Sequence, residues 1–377
     1  MEDARRTPWF DPTAVRFPLL LFVTTRVALL ATSYMSVVLV PDLYRHEETR
    51  HMSLRALPAF DGLCRWDCGW FERIMNTGFD TPETTKVFPL LPLLASGLSK
   101  LTQIDPLISL IVVANLASLG SYIVIHAIFK QLEGGTAARW GLLFFAAYPF
   151  AFFQGAAYAE SLMVLGSAAA IWLAMKGKHI WAGTVLGLGI MARHVTIFAG
   201  AGLLAAQLRQ RGMRPARLLF SPAIVGLVIP FVFLAAWSWY LGRKLGDPLL
   251  FWNARQMNFG PIVFWSVREV WQNIPYTYRP ELYFYIVLSV IPLAGTVALL
   301  TRRRWIELAA AAAVLMAVVY GSGGVALGRY SAACWPAFLP WGVVMSRRPT
   351  VGASVLGASF FLQGMFFFLF AHQWPIL

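Results

Sequence analysis

The sequence predicts an all-α polytopic membrane protein of about eleven spans, and two observations support this prediction. Of the 377 residues, 58% are hydrophobic and only 13% are charged, a balance too apolar for a protein whose whole surface faces water. Apolar runs of about 17 to 25 residues recur from Phe17 to the C-terminus, and a helix of that length crosses a bilayer. We therefore interpret residues 1–377 as a single membrane domain.

The predicted spans are apolar segments separated by charged loops. They cover residues 17–40, 107–129, 139–153, 157–175, 179–192, 195–208, 217–241, 281–300, 305–322, 331–345 and 351–371. The first segment is longer than the core of a signal peptide and lacks a small-residue cleavage site, so we expect it to be retained as an anchor.

The distribution of basic residues predicts the orientation of the chain. The formal net charge is +13, and the positive-inside rule accounts for it without nucleic acid as a partner. A cytoplasmic N-terminus puts residues 41–104 outside as a large first outer loop. It also puts five basic clusters inside, which are Lys130/Arg139, Lys176/Lys178, Arg209/Arg211/Arg214, Arg302/Arg303/Arg304 and Arg347/Arg348.

The apolar segment 87–102 and two cysteines are the ambiguous parts of this outer loop. Counting 87–102 as a span would move the basic clusters outside, and Pro89 and Pro92 disfavour a regular crossing, so we interpret it as a surface or re-entrant helix. The chain has three cysteines, too few for a disulfide framework. Cys64 and Cys68 could form a single bridge, although their spacing alone favours two unpaired thiols.

Acids flanked by aromatic residues in the outer loop are the first candidates for chemistry. A helix over residues 65–75 would carry Trp66, Trp70 and Arg73 on one side and direct Asp67 elsewhere. An acid held at the headgroup level could take a proton from an acceptor hydroxyl as a general base. The alternative, which the spacing alone favours, is a tryptophan-anchored interfacial helix whose Asp67 only faces water.

A second acid and three outer cations complete the candidate site. Glu160, in the sequence Tyr158-Ala159-Glu160-Ser161, is an acid in apolar surroundings, and such acids are either functional or members of a structural ion pair. Arg193, His194 and Arg329 could bind a phosphodiester, because the guanidinium fork matches phosphate oxygens. The alternative is contact with lipid headgroups or salt bridges within loops.

The sequence gives no indication of a metal or a cofactor. Its His, Cys, Asp and Glu residues have no metal-ligand spacing, and there is no phosphate-binding glycine loop. We therefore predict neither a zinc site nor a nucleotide-sugar donor. Arg26, in the middle of the first span, should face the bundle and find a structural partner there.

The ordered set of these motifs resembles the GPI mannosyltransferase II (PIG-V) family of GT-C membrane glycosyltransferases. The resemblance covers residues 15–210 and, more weakly, the later half of the chain. The motifs are Trp66-Asp67, Trp70-Phe71, Gly78-Phe79, Phe88-Pro89-Leu90-Leu91-Pro92, Tyr158-Ala159-Glu160-Ser161, Arg193, Gly246-Asp247-Pro248 and Gly328-Arg329-Tyr330.

This resemblance implies a GT-C helical bundle and a polyprenyl- or dolichyl-phosphate-sugar donor, usually of mannose. Asp67 matches the family's catalytic acid, Glu160 its tyrosine-rich acidic motif and Arg193 its hairpin arginine. Cys68, Gly69 and His194 depart from the family pattern and leave the acceptor undefined.

We therefore predict inverting, metal-independent transfer of a sugar to an acceptor hydroxyl on the outer membrane face. Asp67 and Glu160 are the predicted catalytic acids, and Arg193, His194 and Arg329 the predicted ligands of the donor phosphate. The pocket candidates are Asp61, Trp66, Trp70, Tyr158 and Tyr330.

Two alternatives and several partners remain open at this stage. The protein could be a transporter or flippase of lipid-linked sugars, or a GT-C relative that uses another sugar such as an arabinosyl or aminoarabinosyl donor. A flippase would tend to show repeated halves and charges at the midplane, whereas these acids lie in outer loops. The acceptor could be a glycolipid, a glycan or a protein. Because the compact chain has no Asn-x-Ser/Thr sequon, we place it in a bacterial inner membrane with its site facing the periplasm or exterior.

Overall fold

The computed structural model describes residues 12–40, 54, 57–259, 279–321, 326–374 and 376, and every regular element in them is helical. The α-helices in chain order are α1 (Pro12–Leu39), α2 (Pro58–Asp61), α3 (Asp67–Thr77), α4 (Leu90–Thr102), α5 (Pro106–Glu133), α6 (Gly135–Ala147), α7 (Glu160–Met175), α8 (His179–Ala192), α9 (Gly200–Gln210), α10 (Pro215–Leu219), α11 (Ala223–Leu245), α12 (Leu250–Phe259), α13 (Arg279–Leu299), α14 (Ile306–Gly321), α15 (Leu327–Ala333), α16 (Phe338–Ser346) and α17 (Pro349–Ala371). Short 3-10 turns cover Pro82–Lys86, Ala151–Gln154, His194–Ala199, Arg303–Trp305 and Trp335–Ala337. The predicted outer segments at 41–53, 55–56, 260–278 and 322–325 lie outside the described residues.

The predicted all-helical membrane fold is confirmed. In the described part of the chain, five helical segments are long and apolar enough to cross a membrane, namely Val15–Leu39, Pro106–Glu133, Ala223–Leu245, Arg303–Gly321 and Pro349–Ala371. Shorter apolar helices cover Leu90–Thr102, Glu160–Met175, His179–Ala192 and Tyr283–Leu299. Four predicted spans are interrupted. In 139–153 α6 ends at Ala147, and in 331–345 Cys334 lies between α15 and the next turn. The span 195–208 begins with a 3-10 turn that ends at Ala199, and 217–241 is broken between Leu219 and Ala223.

The basic clusters meet at one end of the bundle. Glu133, the last residue of α5, pairs with Arg304 at 2.7 Å and with Arg302 at 3.7 Å, both from the segment between α13 and α14. Arg209, at the end of α9, pairs with Glu307 of α14 at 2.7 Å. The loops of three of the predicted basic clusters therefore lie together, namely Lys130/Arg139, Arg209/Arg211/Arg214 and Arg302/Arg303/Arg304.

At the other end of the bundle, an irregular segment between α6 and α7 is buried. It includes Tyr148, Phe152 and Phe153, which are almost fully inaccessible to solvent. Gln363 of α17 donates two hydrogen bonds to backbone carbonyls there, one of them to Tyr148 at 2.8 Å. Non-helical backbone is tolerated inside a membrane protein when other protein groups satisfy it in this way. The segment ends at Glu160, the first residue of α7.

Arg26 faces the bundle, as predicted. Its guanidinium donates to the Ser118 hydroxyl of α5 and, at 3.1 Å, to the Gln154 carbonyl. It also lies 4.7 Å from the centroid of the Phe22 ring. These contacts join α1 to the irregular segment, and they give the arginine a structural role.

Candidate active site

Two acids and two arginines meet at the end of the bundle opposite to the basic clusters. The Arg329 Nη2 atom lies 2.7 Å from the Asp67 Oδ2 atom and 2.7 Å from the Glu160 Oε1 atom. The Arg193 Nη1 atom lies 3.3 Å from the same Glu160 oxygen and 3.9 Å from the Asp67 Oδ2 atom. The four charges form one network, which we call the charged cluster.

Four separate helices supply the residues of the charged cluster, and each residue lies at or near an end of its helix. Asp67 is the first residue of α3 and Glu160 the first residue of α7, and the positive end of a helix dipole favours an acid at this position. Arg193 directly follows the last residue of α8, and Arg329 lies in the short helix α15. The folded bundle therefore assembles a site whose parts are far apart in the sequence.

The two acids of the charged cluster differ in their access to solvent. The Glu160 side chain is fully buried, and that of Asp67 is 31% exposed. Burial opposes the ionisation of Asp67, but the charges of Arg329 and Arg193 outweigh it and hold the pKa of this carboxyl below its ordinary value. Asp67 is therefore an ionised carboxylate that a substrate can reach, and Glu160 is an acid enclosed by its arginine partners.

Aromatic side chains hold the charged cluster in place. The Tyr158 hydroxyl donates to the Arg65 carbonyl at 3.0 Å and accepts the backbone N–H of Asp67 at 3.2 Å. The Arg329 guanidinium lies 4.8 Å from the centroid of the Tyr158 ring, and that of Arg193 lies 5.4 Å from the Tyr330 centroid. These cation–π contacts orient both arginines. The predicted pocket residues Tyr158 and Tyr330 thus contact the predicted charges.

The predicted helix over residues 65–75 is wrong at its start. The helix begins at Asp67, and Trp66 precedes it with φ of 52°, outside helical geometry. Trp66 therefore does not share a helical face with Trp70 and Arg73. Trp70 instead makes cation–π contacts. The Arg73 guanidinium lies 6.0 Å from the centroid of its ring, and the Lys86 ammonium lies 5.8 Å from it.

Two further predicted site residues have other neighbours. Asp61 is buried, pairs with Arg65 at 2.7 Å and accepts the Leu54 N–H at 2.9 Å, which favours a structural role. His194 begins the turn next to Arg193, and its ring packs 5.4 Å from the ring of Phe88.

The interpretation of Cys64 and Cys68 as unpaired thiols is wrong, because the two form a disulfide. The turn between α2 and α3 folds back on itself and brings their Cα atoms to 5.3 Å, within bridging range. Sequence reasoning also missed Arg65, whose Nε atom donates to the Ala371 carbonyl at the end of α17 at 2.8 Å. Its position beside the Trp66-Asp67 motif was the only available signal.

A small apolar groove, with a cavity volume of about 20 Å³, lies between α7, α14 and the segments that follow Arg193 and α15. One wall is a stripe of α7 formed by Met163, Ser167 and Ile171, which begins about one turn after Glu160. The turn that follows Arg193 and the residues that follow α15 supply the other side, together with α14. They contribute Val195, Thr196, Phe198, Ala199, Ala311, Ala312, Leu315, Ala333, Trp335 and Pro336. The groove thus runs along α7, and its lining residues lie close in sequence to Glu160, Arg193 and Arg329 without including them.

The fold is similar to those of known glycosyltransferases. ArnT from Cupriavidus metallidurans, solved with undecaprenyl phosphate bound, matches with a TM-score of 0.55 and 16% identity over 87% of this chain and 60% of that one. An oligosaccharyltransferase from Archaeoglobus fulgidus matches with a TM-score of 0.46 and 12% identity over 94% of this chain and 52% of its own. The chain therefore spans about 60% of the length of ArnT. No curated protein matched the sequence.

The helical bundle and its similarity to ArnT show the fold that GT-C membrane glycosyltransferases adopt. The family model described as Mannosyltransferase (PIG-V) matches residues 15–219, more than half of the chain. The chain belongs to that mannosyltransferase family, as its motifs predicted. The matched region contains Asp67, Glu160 and Arg193, whereas Arg329 comes from the part of the chain beyond it.

Proposed function

We propose that this protein transfers a mannosyl residue from a polyprenyl-phosphate donor to an acceptor hydroxyl, with inversion at the sugar and without a metal ion. One observation carries the proposal. A partly exposed carboxylate, Asp67, lies against two arginines at the end of an apolar helical bundle. A lipid phosphate sugar has the matching chemistry, which is an anionic headgroup on an apolar tail.

Asp67 is the proposed general base. The acceptor O–H gives its proton to Asp67 as its oxygen bonds to the anomeric carbon of the sugar, and the bond from that carbon to the phosphate oxygen breaks. The electron pair of the broken bond leaves with the polyprenyl phosphate. Arg329 pairs with the Oδ2 atom of Asp67 at 2.7 Å, so we expect the donor phosphate to compete for this arginine and free the carboxylate.

Arg193 and Arg329 are the proposed ligands of the phosphate. The leaving phosphate gains a negative charge in the transition state, and fixed cations in a site shielded from water stabilise such a charge strongly. Glu160 contacts both guanidinium groups, at 2.9 Å from the Arg329 Nε atom and 3.3 Å from the Arg193 Nη1 atom. We assign it to holding the arginines in position, while His194 stays a candidate contact of the same headgroup.

The apolar groove is the proposed entry point of the lipid tail, which would have to widen it, because a cavity of about 20 Å³ holds little more than one water molecule. Its wall on α7 starts about one turn from Glu160 and continues through Ser167 to Ile171, about 12 Å along the helix axis from Met163. A tail in this groove would leave the headgroup at the two arginines. The undecaprenyl phosphate bound to ArnT supports a lipid phosphate of this kind as the carrier here.

The site is proposed to face the periplasm or exterior of a bacterial inner membrane. The basic clusters gather at the opposite end of the bundle, which the positive-inside rule assigns to the cytoplasm. The Cys64–Cys68 disulfide supports the same orientation, because such bridges persist in oxidising compartments. The N-terminus would then be cytoplasmic, and the acceptor a glycolipid, glycan or protein outside.

The decisive experiment measures transfer of radiolabelled mannose from polyprenyl-phosphate-mannose by the purified protein. We expect Asp67→Asn to lower kcat by about 10²- to 10⁴-fold, the range attributed to a general base. Asp80→Asn is the matched control. Asp80 is an exposed acid of the same outer region, paired with Arg73 at 3.5 Å, so its variant should stay within about twofold of wild type.

Two additional arms test the remaining parts of the proposal. Saturating EDTA should leave the rate unchanged, because the two guanidinium groups supply the positive charge at the phosphate. Donors with other sugars, including an arabinosyl donor, test the preference for mannose. Full activity of Asp67→Asn would remove Asp67 from its role. Movement of the donor across the bilayer without sugar transfer would instead support a flippase.

A further inference from the structure

We infer that the Cys64–Cys68 disulfide positions Asp67 for proton transfer, an inference that rests on the proposed function. The bridge joins the two sides of the turn that precedes α3, and Asp67 immediately precedes Cys68 in the sequence. Both cysteines are fully buried. The bridge therefore fixes the backbone on both sides of the Trp66-Asp67 motif rather than a distant part of the loop.

The backbone of this turn adopts a conformation that its sequence does not favour. Trp66 has φ of 52° and ψ of −106°, a region that residues with a side chain rarely occupy. Such a conformation persists only when surrounding contacts hold it. The Cys68 N–H donates to the Arg65 carbonyl at 3.2 Å, and the Gly69 N–H donates to the Trp66 carbonyl at 3.0 Å. The covalent bridge spans the same turn.

The turn is held from both sides, and Asp67 is the residue that these contacts direct towards the arginines. On one side, Arg65 is tied to Asp61 and to the Ala371 carbonyl. On the other side, the Asp67 N–H bonds to the Tyr158 hydroxyl at 3.2 Å. Without the bridge Trp66 could relax to a common conformation, and the Asp67 side chain would then leave its place beside Arg329.

The short loop favours a local role for the bridge over a global one. A disulfide stabilises a fold mainly by restricting the unfolded chain, and it does so less as the closed loop becomes shorter. Cys64 and Cys68 are only four residues apart. The main effect of this bridge should therefore be on the geometry of the turn, where a displacement of about 1 Å can cost about 10²-fold in rate.

The test removes the bridge and asks whether the loss depends on Asp67. We expect Cys64→Ala/Cys68→Ala to lower kcat by about 10- to 100-fold, with kcat normalised to the amount of polyprenyl phosphate that the folded protein binds. The same double substitution in an Asp67→Asn background should change kcat by less than about twofold, because groups that act as one unit are not additive. Cys334→Ala, which removes a buried free cysteine elsewhere, should resemble wild type.

Several outcomes would overturn the inference. It fails if the bridgeless variant keeps the wild-type kcat, or if bridge removal costs the same factor with and without Asp67. If the variant does not fold, wild-type protein is reduced in micelles by a membrane-permeant thiol and checked by mass spectrometry; full activity of the reduced protein would then contradict it. An Asp67→Asn protein with wild-type activity would end the proposed function and this inference together, whereas failure of the bridge test leaves the proposed function standing.

Discussion

The two ends of the helical bundle both carry acid–arginine pairs, but they use them differently. At the basic end, Glu133 pairs with Arg302 and Arg304, whose side chains are 39% and 54% exposed. In the charged cluster, Arg329 is only 4% exposed and bonds to two acids at once. The arginines therefore face solvent at one end and are enclosed at the other, whereas buried acid partners are present at both ends.

This difference distinguishes the basic residues that indicate the orientation of the chain from the charged residues that form the candidate site. Exposed pairs are screened by water and each contributes about 0 to 1 kcal/mol, so the arginines of the basic end act mainly through their position on one side of the membrane. Buried charges cannot be left unpaired without a large penalty. The charged cluster is therefore fixed in geometry, as the proposed phosphate site requires.

The largest difference between the two ends should appear on substitution of arginine by lysine. Arg329→Lys keeps the charge but loses the fork that contacts Asp67 and Glu160 together, and we expect kcat/KM to fall by about 10²- to 10³-fold. Arg302→Lys is the matched change at the basic end and should stay within about twofold. Steady-state kinetics with polyprenyl-phosphate-mannose measures both, and equal losses would contradict the comparison.

A smaller contrast is expected in stability. Glu160→Gln removes one of the two acids that neutralise the buried arginines, and breaking a buried pair in this way typically costs about 3 to 5 kcal/mol. Glu133→Gln should cost less, about 1 to 2 kcal/mol, because Glu133 is buried but its arginines are exposed to water and the amide oxygen can still accept the bond from Trp305 Nε1. The measurement is the free energy of unfolding from denaturant titration in detergent micelles. A larger loss for Glu133→Gln would reverse the assignment of the two ends.

The helices and the site residues could be predicted to different extents. Apolar runs and basic clusters are local signals, so the bounds of α8 agree with the predicted span 179–192 and the basic loops lie at one end. Asp67, Glu160, Arg193 and Arg329 were predicted from their residue types in outer loops, but their mutual contacts depend on four elements meeting in space. No local pattern contains that information.

Other features of the site could not be predicted from the sequence, because they depend on backbone conformation or on contacts between distant residues. The disulfide depends on the turn at Trp66, whose positive φ is unusual for a residue with a large side chain. The buried segment before Glu160 is as apolar in sequence as the span it follows, so it was predicted to continue that span. Its irregular backbone depends on partners from elsewhere in the chain, such as Gln363 of α17. Asp61 matched the pattern of a site acid equally well, and only its pairing with Arg65 distinguishes it.

The smallest expected effect is on the pH dependence of the reaction. The arginines of the charged cluster hold the pKa of Asp67 below its ordinary value of about 3.9. A base must be ionised, so kcat/KM should be constant from pH 8 down to about pH 5 and fall only as the pH drops through that lowered pKa.

The variant Arg193→Gln removes one neighbouring cation. The pKa of Asp67 should therefore rise, and the acid limb of the pH profile should move to higher pH. Arg302→Gln, a matched loss of charge at the basic end, should leave the limb in place because it lies far from Asp67 and is screened by salt. An acid limb centred near pH 6 to 7 in the wild-type profile would mean that a group other than Asp67 takes the proton.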